Sequence, residues 1–315
     1  MKAFALESAD KPARNIDIPK PEVGEAEVLV AVKAASVNGI DVYQAMGALA
    51  GMMEHAFPSV VGRDFAGTVE AVGPSYGGGF AAGDEVFGFI PTIPPLKSGA
   101  FAQYVSGGPS LVLARKPAGL SFGEAAALPL AGVAALDLLD SVAAKKGDVL
   151  LIVGATGGVG SLAVQIAAQR GVTVIATTLP DQDEHIRSLG AVDTIDYSAG
   201  SVADAVRSRY PDGIAALIDV VNQKEALTEL AALVRPGGHL ATTMAAADVE
   251  QLASREIGGA NVMAVPTAEK LRLLAEMADS GALRVQIQAA YPMDRAAEAL
   301  QAFQRGTRGK IVLTL

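Results

Sequence analysis

A glycine-rich segment is the part of the sequence with the clearest chemical signature. An apolar run, Asp148–Val153, precedes it, and an alanine-rich helical pattern follows. The segment reads Gly154-Ala155-Thr156-Gly157-Gly158-Val159-Gly160. Glycines at a strand-to-helix turn let the backbone approach a pyrophosphate, whose charge is met by free amides at the start of the helix. Because strand, turn and helix occur together, this segment predicts a dinucleotide site.

The end of the next predicted strand indicates which dinucleotide to expect. An acidic side chain there would bind the ribose hydroxyls of NAD and repel the 2′-phosphate of NADP. The sequence has Thr177 and Thr178 instead, and Arg187 and Tyr197 follow as further candidates for the cofactor. Small hydroxyl groups leave room for a phosphate and can donate hydrogen bonds to it. We therefore expect NADPH.

Rare and absent residue types exclude several other chemistries. The 315 residues include no cysteine and three histidines, at positions 55, 185 and 239. Disulfides, cysteine nucleophiles, thiolate zinc sites and iron–sulfur clusters are therefore excluded, and the histidine spacing matches no metal motif. We expect no metal and no histidine general base. The net charge of −9 argues against a nucleic-acid partner.

The elements that position these residues change in character along the chain. Up to about Gly119, short apolar runs separated by Gly and Pro predict a β domain, with strands at Glu27–Ala35, Gly67–Val72 and Glu85–Ile90. One helix is expected over 121–142, opened by a capping box of Ser121 and Glu124.

Strands and helices then alternate, which predicts a doubly wound parallel sheet with crossover helices. The expected strands are Asp148–Val153, Thr173–Thr177, Thr194–Asp196, Ile214–Val220 and Gly238–Thr243, with Asn261–Val265 as a sixth. The longest charge-free stretch, Val149–Ala168, contains the glycine turn, so we expect no membrane span. Glu7 and Asp10 are incompatible with a secretory signal, and the expected location is the cytoplasm.

Several stretches, taken in order, resemble the zinc-independent quinone oxidoreductase (zeta-crystallin-like) branch of the medium-chain dehydrogenase/reductase superfamily. The similarity runs through nearly the whole chain. Besides the glycine turn it covers residues 35–43, 62–73, 82–88, 99–105, 128–132, 235–238 and 309–313.

The resemblance implies an α/β fold, with a Rossmann doubly wound parallel sheet inserted into a GroES-like β-barrel domain. Residues 1–120 plus 284–315 would form the GroES-like substrate domain and 121–283 the dinucleotide-binding domain, with the active site in a cleft. Zinc-dependent relatives have Gly-His-Glu where this chain has Gly62-Arg63-Asp64, and a cysteine ligand near the place of Asn38. The resemblance thus also implies that no metal is bound. Arg63 could pair with a carboxylate or face solvent, and we expect it to face solvent.

The same resemblance suggests residues for the reaction site. It associates Asn38, Asp41 and Tyr43 with the nicotinamide and substrate end, where two or three of these polar groups could converge on one carbonyl. The alternative is turn chemistry, because Asn and Asp side chains often bond their own backbone. It places Val133, Thr243 and Met244 near the nicotinamide. An apolar, adaptable pocket wall would come from Met46, Met52, Phe57 and Phe89.

The expected activity is NADPH-dependent reduction of a quinone or a related electron-poor enone, by direct hydride transfer without metal. Tyr43 or a water would deliver the proton. Two alternatives are an enoyl-thioester reductase, for which the N-terminal domain shows no cationic cluster, and a non-catalytic NADPH-binding protein. The expected partners are a small-molecule substrate, no nucleic acid and no membrane. The resemblance also implies a homodimer, joined through the strand near Asn261–Val265.

Overall fold

The computed structural model describes all residues, Met1–Leu315, and the chain divides into two compact units. The first unit combines Met1–Leu130 with Pro266–Leu315, and the second is Ala131–Val265. Residues 121–130 and 266–283 therefore group with the first unit, whereas they are predicted above to belong to the dinucleotide-binding domain. The limits of the functional domains stay a prediction.

Strands supply the framework of both units. In chain order they are β1 Lys2–Leu6, β2 Arg14–Asp17, β3 Val28–Ser36, β4 Ser59–Val60, β5 Asp64–Val72, β6 Glu85–Phe89, β7 Tyr104–Gly107, β8 Val112–Arg115, β9 Val149–Val153, β10 Thr173–Thr178, β11 Asp193–Asp196, β12 Ile214–Asp219, β13 Val234–Thr242, β14 Gly258–Asn261, β15 Ile287–Pro292 and β16 Lys310–Thr314.

Helices connect and cover the strands. They are α1 Gly39–Ala45, α2 Phe122–Ala126, α3 Pro129–Val142, α4 Gly158–Gln169, α5 Asp183–Ser188, α6 Val202–Arg209, α7 Lys224–Ala231, α8 Val249–Ala253, α9 Ala268–Asp279 and α10 Ala296–Gln304. None of them combines the length and the apolar character that crossing a membrane requires.

The first unit contains two sheets. A three-stranded sheet has the order β2-β1-β4, and a seven-stranded sheet has the order β15-β16-β3-β5-β6-β8, with β7 also paired to β3. Apart from the parallel pair of β15 and β16, neighbouring strands are antiparallel. The core of this unit includes Val30, Phe65 and Phe101, and Leu300 of α10 joins it. The returning C-terminal segment thus adds β15 and β16 to the seven-stranded sheet, where β16 pairs with β3.

The second unit is a six-stranded sheet in the order β11-β10-β9-β12-β13-β14. All its strand pairs are parallel, and the intervening segments contain helices. The central strands are apolar almost throughout and buried, as expected for a parallel sheet covered on both faces. The prediction of a doubly wound parallel sheet is confirmed.

The helix expected over 121–142 is two helices. Its start is as predicted, because the Ser121 hydroxyl accepts from the Glu124 amide at 3.2 Å and the Glu124 carboxylate accepts from the Ser121 amide at 2.9 Å. The chain leaves the helix at Ala127 and a new helix begins at Pro129. Proline has no amide hydrogen and disfavours helical backbone at the preceding residue, so it ends one helix and suits the first position of the next.

The sixth strand of the parallel sheet is displaced from its predicted position. It spans Gly258–Asn261 rather than Asn261–Val265, and only Asn261 is shared. Two glycines made the true segment a poor strand by propensity. A Cβ added at Gly258 would lie 2.4 Å from Cδ2 of His239, and one at Gly259 would lie 2.6 Å from Cδ1 of Leu252. The strand is therefore specified by tight packing against its neighbours.

Candidate functional site

The glycine turn of the second unit joins the end of β9 to the start of α4. Gly154 directly follows Val153 and adopts φ of +85°, a backbone conformation that favours glycine. Gly157 caps α4 with no side-chain hydrogen bond. The amides of the first helical turn are thus not taken up by a capping side chain, which is the arrangement that accepts an anion.

Close packing explains why glycine is needed at both ends of this turn. A Cβ at Gly160 would lie 2.2 Å from the carbonyl oxygen of Gly154, and a Cβ at Gly154 would lie 2.4 Å from Cγ2 of Val221. Ala155 is fully buried, while Thr156, Gly158 and Val159 are partly exposed. The residues present therefore fit the backbone cradle of a dinucleotide pyrophosphate.

Neighbouring strand ends support the turn from both sides. The hydroxyl of Thr177, on β10, accepts a hydrogen bond from the Gly154 amide at 3.2 Å. The carboxylate of Asp219, at the end of β12, is fully buried and accepts from the amides of Val221 and Asn222 at 2.9 and 2.8 Å. Asp219 was missed in the sequence, although an acidic residue that closes an apolar strand was a visible signal. It fixes the loop that packs on Gly154.

The other residues predicted for the adenosine end differ in their surroundings. The hydroxyl of Thr178 donates to the carbonyl of Leu179 at 3.1 Å, and the amide of the half-exposed Tyr197 donates to the carbonyl of Thr178 at 3.3 Å. Thr178 and Tyr197 are thus neighbours at the carboxyl ends of β10 and β11.

Arg187 is engaged in a structural network. Its guanidinium donates to Asp183 at 2.9 Å, to the carbonyl of Val192 at 3.0 Å and to the hydroxyl of Thr194 at 2.7 Å. These contacts join α5 to β11. A contact of Arg187 with a cofactor phosphate stays a prediction, and it would have to compete with this network.

The three residues predicted near the nicotinamide lie at two places in the second unit. Val133 is fully buried in α3. Thr243 and Met244 follow the end of β13 and are partly exposed, and the Met244 amide donates to the hydroxyl of Thr242 at 3.0 Å. The latter pair therefore lies at the carboxyl end of the parallel sheet, the edge at which ligands bind in doubly wound folds.

In the first unit, Asn38 is the centre of a buried polar cluster. Its Nδ2 donates to Oδ2 of Asp64 at 2.8 Å, and its Oδ1 accepts from Nζ of Lys310 at 2.6 Å. Its backbone amide donates to Oδ2 of Asp41 at 2.8 Å, at the start of α1. The structure thus joins Asn38 and Asp41 through the turn at the start of α1, and it adds Asp64 and Lys310 as partners of the Asn38 side chain.

Asp64 and Lys310 have further partners that hold them in place. Asp64 accepts from the hydroxyl of Ser36 at 3.2 Å and from the amide of Leu130 at 3.1 Å. Lys310 also donates to the carbonyl of Val37 at 3.1 Å. Both residues lie in stretches that carry the family resemblance, and a charge within an otherwise apolar strand was the signal that could have identified them.

The expectation that Arg63 faces solvent was wrong. Arg63 is 1% exposed, and its guanidinium donates to Oε1 of Gln44 at 2.6 Å and to the carbonyl of Ser98 at 3.3 Å. Its charge also attracts Asp41. Two buried carboxylates require compensating cations, so Arg63 is retained in the interior.

These four charged residues, Asp41, Arg63, Asp64 and Lys310, form what we call the buried charge cluster. Burial, reinforced by the charge of Asp64, raises the pKa of Asp41 from 3.8 to about 7. Burial raises the pKa of Asp64 to about 6, against the opposing attraction of Lys310. Burial also lowers the pKa of Lys310. When all four groups are ionised their charges cancel.

Tyr43 and the predicted pocket residues lie outside this cluster. Tyr43 is 61% exposed although it belongs to the same helix as the buried Asp41. Met46, Met52 and Phe57 are exposed as well, whereas Phe89 is buried in β6. The three polar residues expected to converge are therefore divided between a buried pair, Asn38 and Asp41, and an exposed tyrosine.

Comparison with known proteins identifies the family. One family model, "Alcohol dehydrogenase GroES-like domain", matches residues 24–126, and another, "Zinc-binding dehydrogenase", matches residues 189–313. The 2-methylene-furan-3-one reductase of Solanum lycopersicum is 31% identical over 305 residues, which are 94% of this chain and 74% of that protein. The chain belongs to the medium-chain dehydrogenase/reductase superfamily.

Two further comparisons cover both proteins almost completely. A quinone oxidoreductase of Sus scrofa is 30% identical over 316 residues, which are 96% of this chain and 92% of that protein. The structure of the quinone oxidoreductase from Coxiella burnetii has a TM-score of 0.88 at 28% identity, covering 100% of this chain and 99% of that chain. The predicted combination of a GroES-like and a Rossmann-type architecture in this oxidoreductase superfamily is confirmed.

Zinc, which the second family model implies, does not fit the residues of this chain. Protein zinc sites use three or four His, Cys or carboxylate ligands, and the structure contains no group of three or more such side chains that could hold a metal ion. Asn38 and Arg63 stand where the resemblance places a cysteine and a histidine ligand, and Nζ of Lys310 lies 2.6 Å from Oδ1 of Asn38. Because two buried cations would repel a divalent ion, we assign no step to a metal.

Proposed function

We propose that this protein catalyses NADPH-dependent reduction of quinones or related electron-poor enones by direct hydride transfer, without a metal. The observation that carries the proposal is the glycine turn, whose backbone geometry and uncapped helix start fit a dinucleotide. Relatives named a quinone oxidoreductase and a 2-methylene-furan-3-one reductase support the two substrate classes.

The second unit would hold the cofactor. Gly154 to Gly160 would contact the pyrophosphate, Thr177, Thr178 and Tyr197 the adenosine ribose and its phosphate, and Val133, Thr243 and Met244 the nicotinamide. When bound, NADPH supplies the hydride and its electron pair. The preference for NADPH is supported by the absence of a carboxylate at the end of β10. Since Arg187 is engaged, we expect hydrogen bonds from small hydroxyl groups, rather than an added cation, to favour the 2′-phosphate.

The first unit would orient the acceptor. Asn38 uses one Nδ2 hydrogen on Asp64, and its second hydrogen is proposed to donate to the acceptor oxygen. The exposed Tyr43 is proposed as the proton donor. A quinone needs little acid catalysis because its reduced oxygen is a weak base, so this site suits an acceptor that is already electrophilic. Met46, Met52 and Phe57 would contact the apolar part of the substrate, whereas the burial of Phe89 supports a packing role.

A homodimer in the cytoplasm completes the proposal. β14 is an edge strand of the parallel sheet, and Met263, just beyond it, is 86% exposed. An open edge next to exposed apolar side chains favours pairing with another chain. Sedimentation at micromolar concentration should give twice the chain mass.

NADPH absorbance with three acceptors tests the proposed activity. We expect rapid oxidation with a simple benzoquinone and with an alkyl enone, and slow oxidation with crotonyl-CoA. Oxidation only with the thioester would instead establish an enoyl-thioester reductase. Tight NADPH binding without turnover of any acceptor would establish a non-catalytic NADPH-binding protein.

A further inference from the structure

The side chain of Asn38 lies between two groups, one of which can only donate a hydrogen bond and the other only accept one. The Lys310 ammonium can only donate, and it meets Oδ1 at 2.6 Å. The Asp64 carboxylate, when ionised, can only accept, and it meets Nδ2 at 2.8 Å. The amide therefore has one satisfied orientation, because a flipped amide would place its NH₂ group against the ammonium and its oxygen against the carboxylate.

Lys310 is unusual because burying its charged ammonium group costs free energy. It is 5% exposed, lies on β16 and reaches a partner 272 residues earlier in the chain. Replacing buried ionic groups by apolar residues of similar volume is often neutral or stabilising, so stability alone does not account for such a lysine. Its contacts are directed instead, to Oδ1 of Asn38 and to the carbonyl of Val37. These contacts fix the loop that leads from β3 into α1.

We propose that Lys310 is a positioning residue, which acts through Asn38 to aim the second Nδ2 hydrogen at the acceptor oxygen. The inference rests on the proposed function, because it deepens the role of Asn38 at that site. Asp64 completes the arrangement from the other side. The remaining charged groups around Asn38 are Asp41 on α1 and Arg63 just before β5, and neither contacts the Asn38 amide oxygen.

Two substitutions separate positioning from simple charge compensation. Lys310→Met should lower kcat about tenfold or more with an unchanged KM for NADPH, since misplaced catalytic groups cost rate while the cofactor cradle is intact. Lys310→Gln keeps a donor without a charge and should retain more of the rate. Lys33→Met, an exposed lysine on β3, is the matched control and should behave as wild type. Equal losses in Lys310→Met and Lys310→Gln would overturn the proposal.

A double-mutant cycle tests whether Lys310 acts through Asn38. In an Asn38→Ala background, Lys310→Met should change kcat less than twofold, because the group that it positions is already gone. If the two losses multiply instead, Lys310 acts independently of Asn38 and the proposal is wrong.

The pH dependence of kcat/KM also tests the proposal, because it would not change if Lys310 served only to pack the interior. The Lys310 charge opposes the rise in the pKa of both Asp64 and Asp41. Removing that charge should therefore raise both pKa values and shift the acid limb of kcat/KM to higher pH in both Lys310 variants. An acid limb that coincides with that of the wild type would contradict the proposal.

A measurement without turnover separates this proposal from the proposed function. The carboxamide NH₂ signals of Asn38 can be identified in ¹⁵N–¹H spectra as the pair missing from Asn38→Ala. In the wild type the two protons should be strongly inequivalent and slow to exchange. In Lys310→Met they should move together and exchange faster, and in Lys310→Gln the change should be smaller. If these spectral changes are seen but the protein oxidises no NADPH, the positioning of Asn38 by Lys310 is supported and the proposed reductase activity is refuted. A wild-type pair with free-amide shifts would refute the positioning, including in the case that Lys310→Met does not fold.

Discussion

Single residues on α1 occupy two environments, and this separation defines what each can do. Asp41 is buried and accepts from the backbone of Asn38, while Tyr43 is largely exposed. A buried carboxyl of this kind holds a turn in place, whereas an exposed phenol can exchange protons with substrate and solvent. We therefore assign the holding of Asn38 to Asp41 and the delivery of the proton to Tyr43.

Tyr43→Phe tests the second assignment with paired acceptors. The kcat with the alkyl enone should fall about tenfold to a hundredfold, because the carbon or oxygen of the product needs a proton. The kcat with benzoquinone should fall much less, since the reduced oxygen of that acceptor is a weak base. Tyr104→Phe serves as the control, because that ring packs under Lys20 in the β sheet. Unchanged turnover of both acceptors across the pH range would remove Tyr43 from the mechanism.

Thr178→Asp tests the preference for NADPH. A carboxylate at the end of β10 should repel the 2′-phosphate and raise the KM for NADPH about tenfold or more, while NADH should be used as well as before or better. Thr178→Ser keeps the hydroxyl and should leave both KM values near those of the wild type. Steady-state kinetics with the two cofactors provides the measurement, and a parallel rise in both KM values would contradict this reading of the site.

At the scale of elements, the glycine turn depends on the close approach of α4 to the end of β9. Gly160→Ala would place a Cβ 2.2 Å from the carbonyl of Gly154, a contact that forces the helix away from the strand. NADPH binding measured by fluorescence should weaken by at least about tenfold, since the backbone amides would no longer be placed for the pyrophosphate.

Gly119→Ala is the control for that substitution. Nothing lies within 4 Å of a Cβ at Gly119, which is exposed in the first unit. It should bind NADPH with wild-type affinity and melt within a degree or two of the wild type. Undiminished NADPH binding by Gly160→Ala would show that the close approach is not needed.

The elements that could be predicted were those that a local pattern specifies. The strand, turn and helix around Gly154 share one short segment, and each part agrees with the others. The break at Pro129 and the strand at Gly258 were missed for different reasons. The apolar helical pattern continues across Pro129, and the glycines of β14 are required only because His239 and Leu252 occupy the adjacent space.

The same distinction applies to the candidate site. Asn38 and Asp41 are three residues apart, and the resemblance identified them together. Lys310 and Asp64 reach Asn38 from other strands, and no local periodicity records such a contact. The burial of Arg63 likewise follows from Gln44, Ser98 and Asp41, which only the folded chain brings near its guanidinium.

At the scale of the whole molecule, the buried charge cluster links stability to pH. The folded-state pKa of Asp41 is raised from 3.8 to about 7, so in that range the folded protein holds more protons than the unfolded chain. The contribution of Asp41 to the free energy of unfolding is therefore greatest below pH 3.8 and falls as pH rises towards 7. Asp64 acts in the same direction up to about pH 6.

Asp41→Asn should remove most of this dependence. Relative to the wild type, its Tm should increase by several degrees as pH rises from about 4 to 7, because Asp64 is common to both proteins and only the wild type also has the Asp41 carboxyl to ionise. Asp17→Asn, which alters an exposed pair with Lys2, should show no such trend. Thermal unfolding followed by circular dichroism across this range gives the comparison, and a constant or falling difference for Asp41→Asn would contradict the assignment.

Direct hydride transfer without a metal is the central claim, and isotope transfer to an enone tests it most directly. Metal-depleted protein, verified by elemental analysis, is incubated with NADPH deuterated at the transferring C4 position and an alkyl enone, and the product is analysed by mass spectrometry. The account predicts one carbon-bound deuterium per product molecule and an unchanged rate after zinc is added. Product without deuterium, or turnover that appears only with zinc, would contradict it.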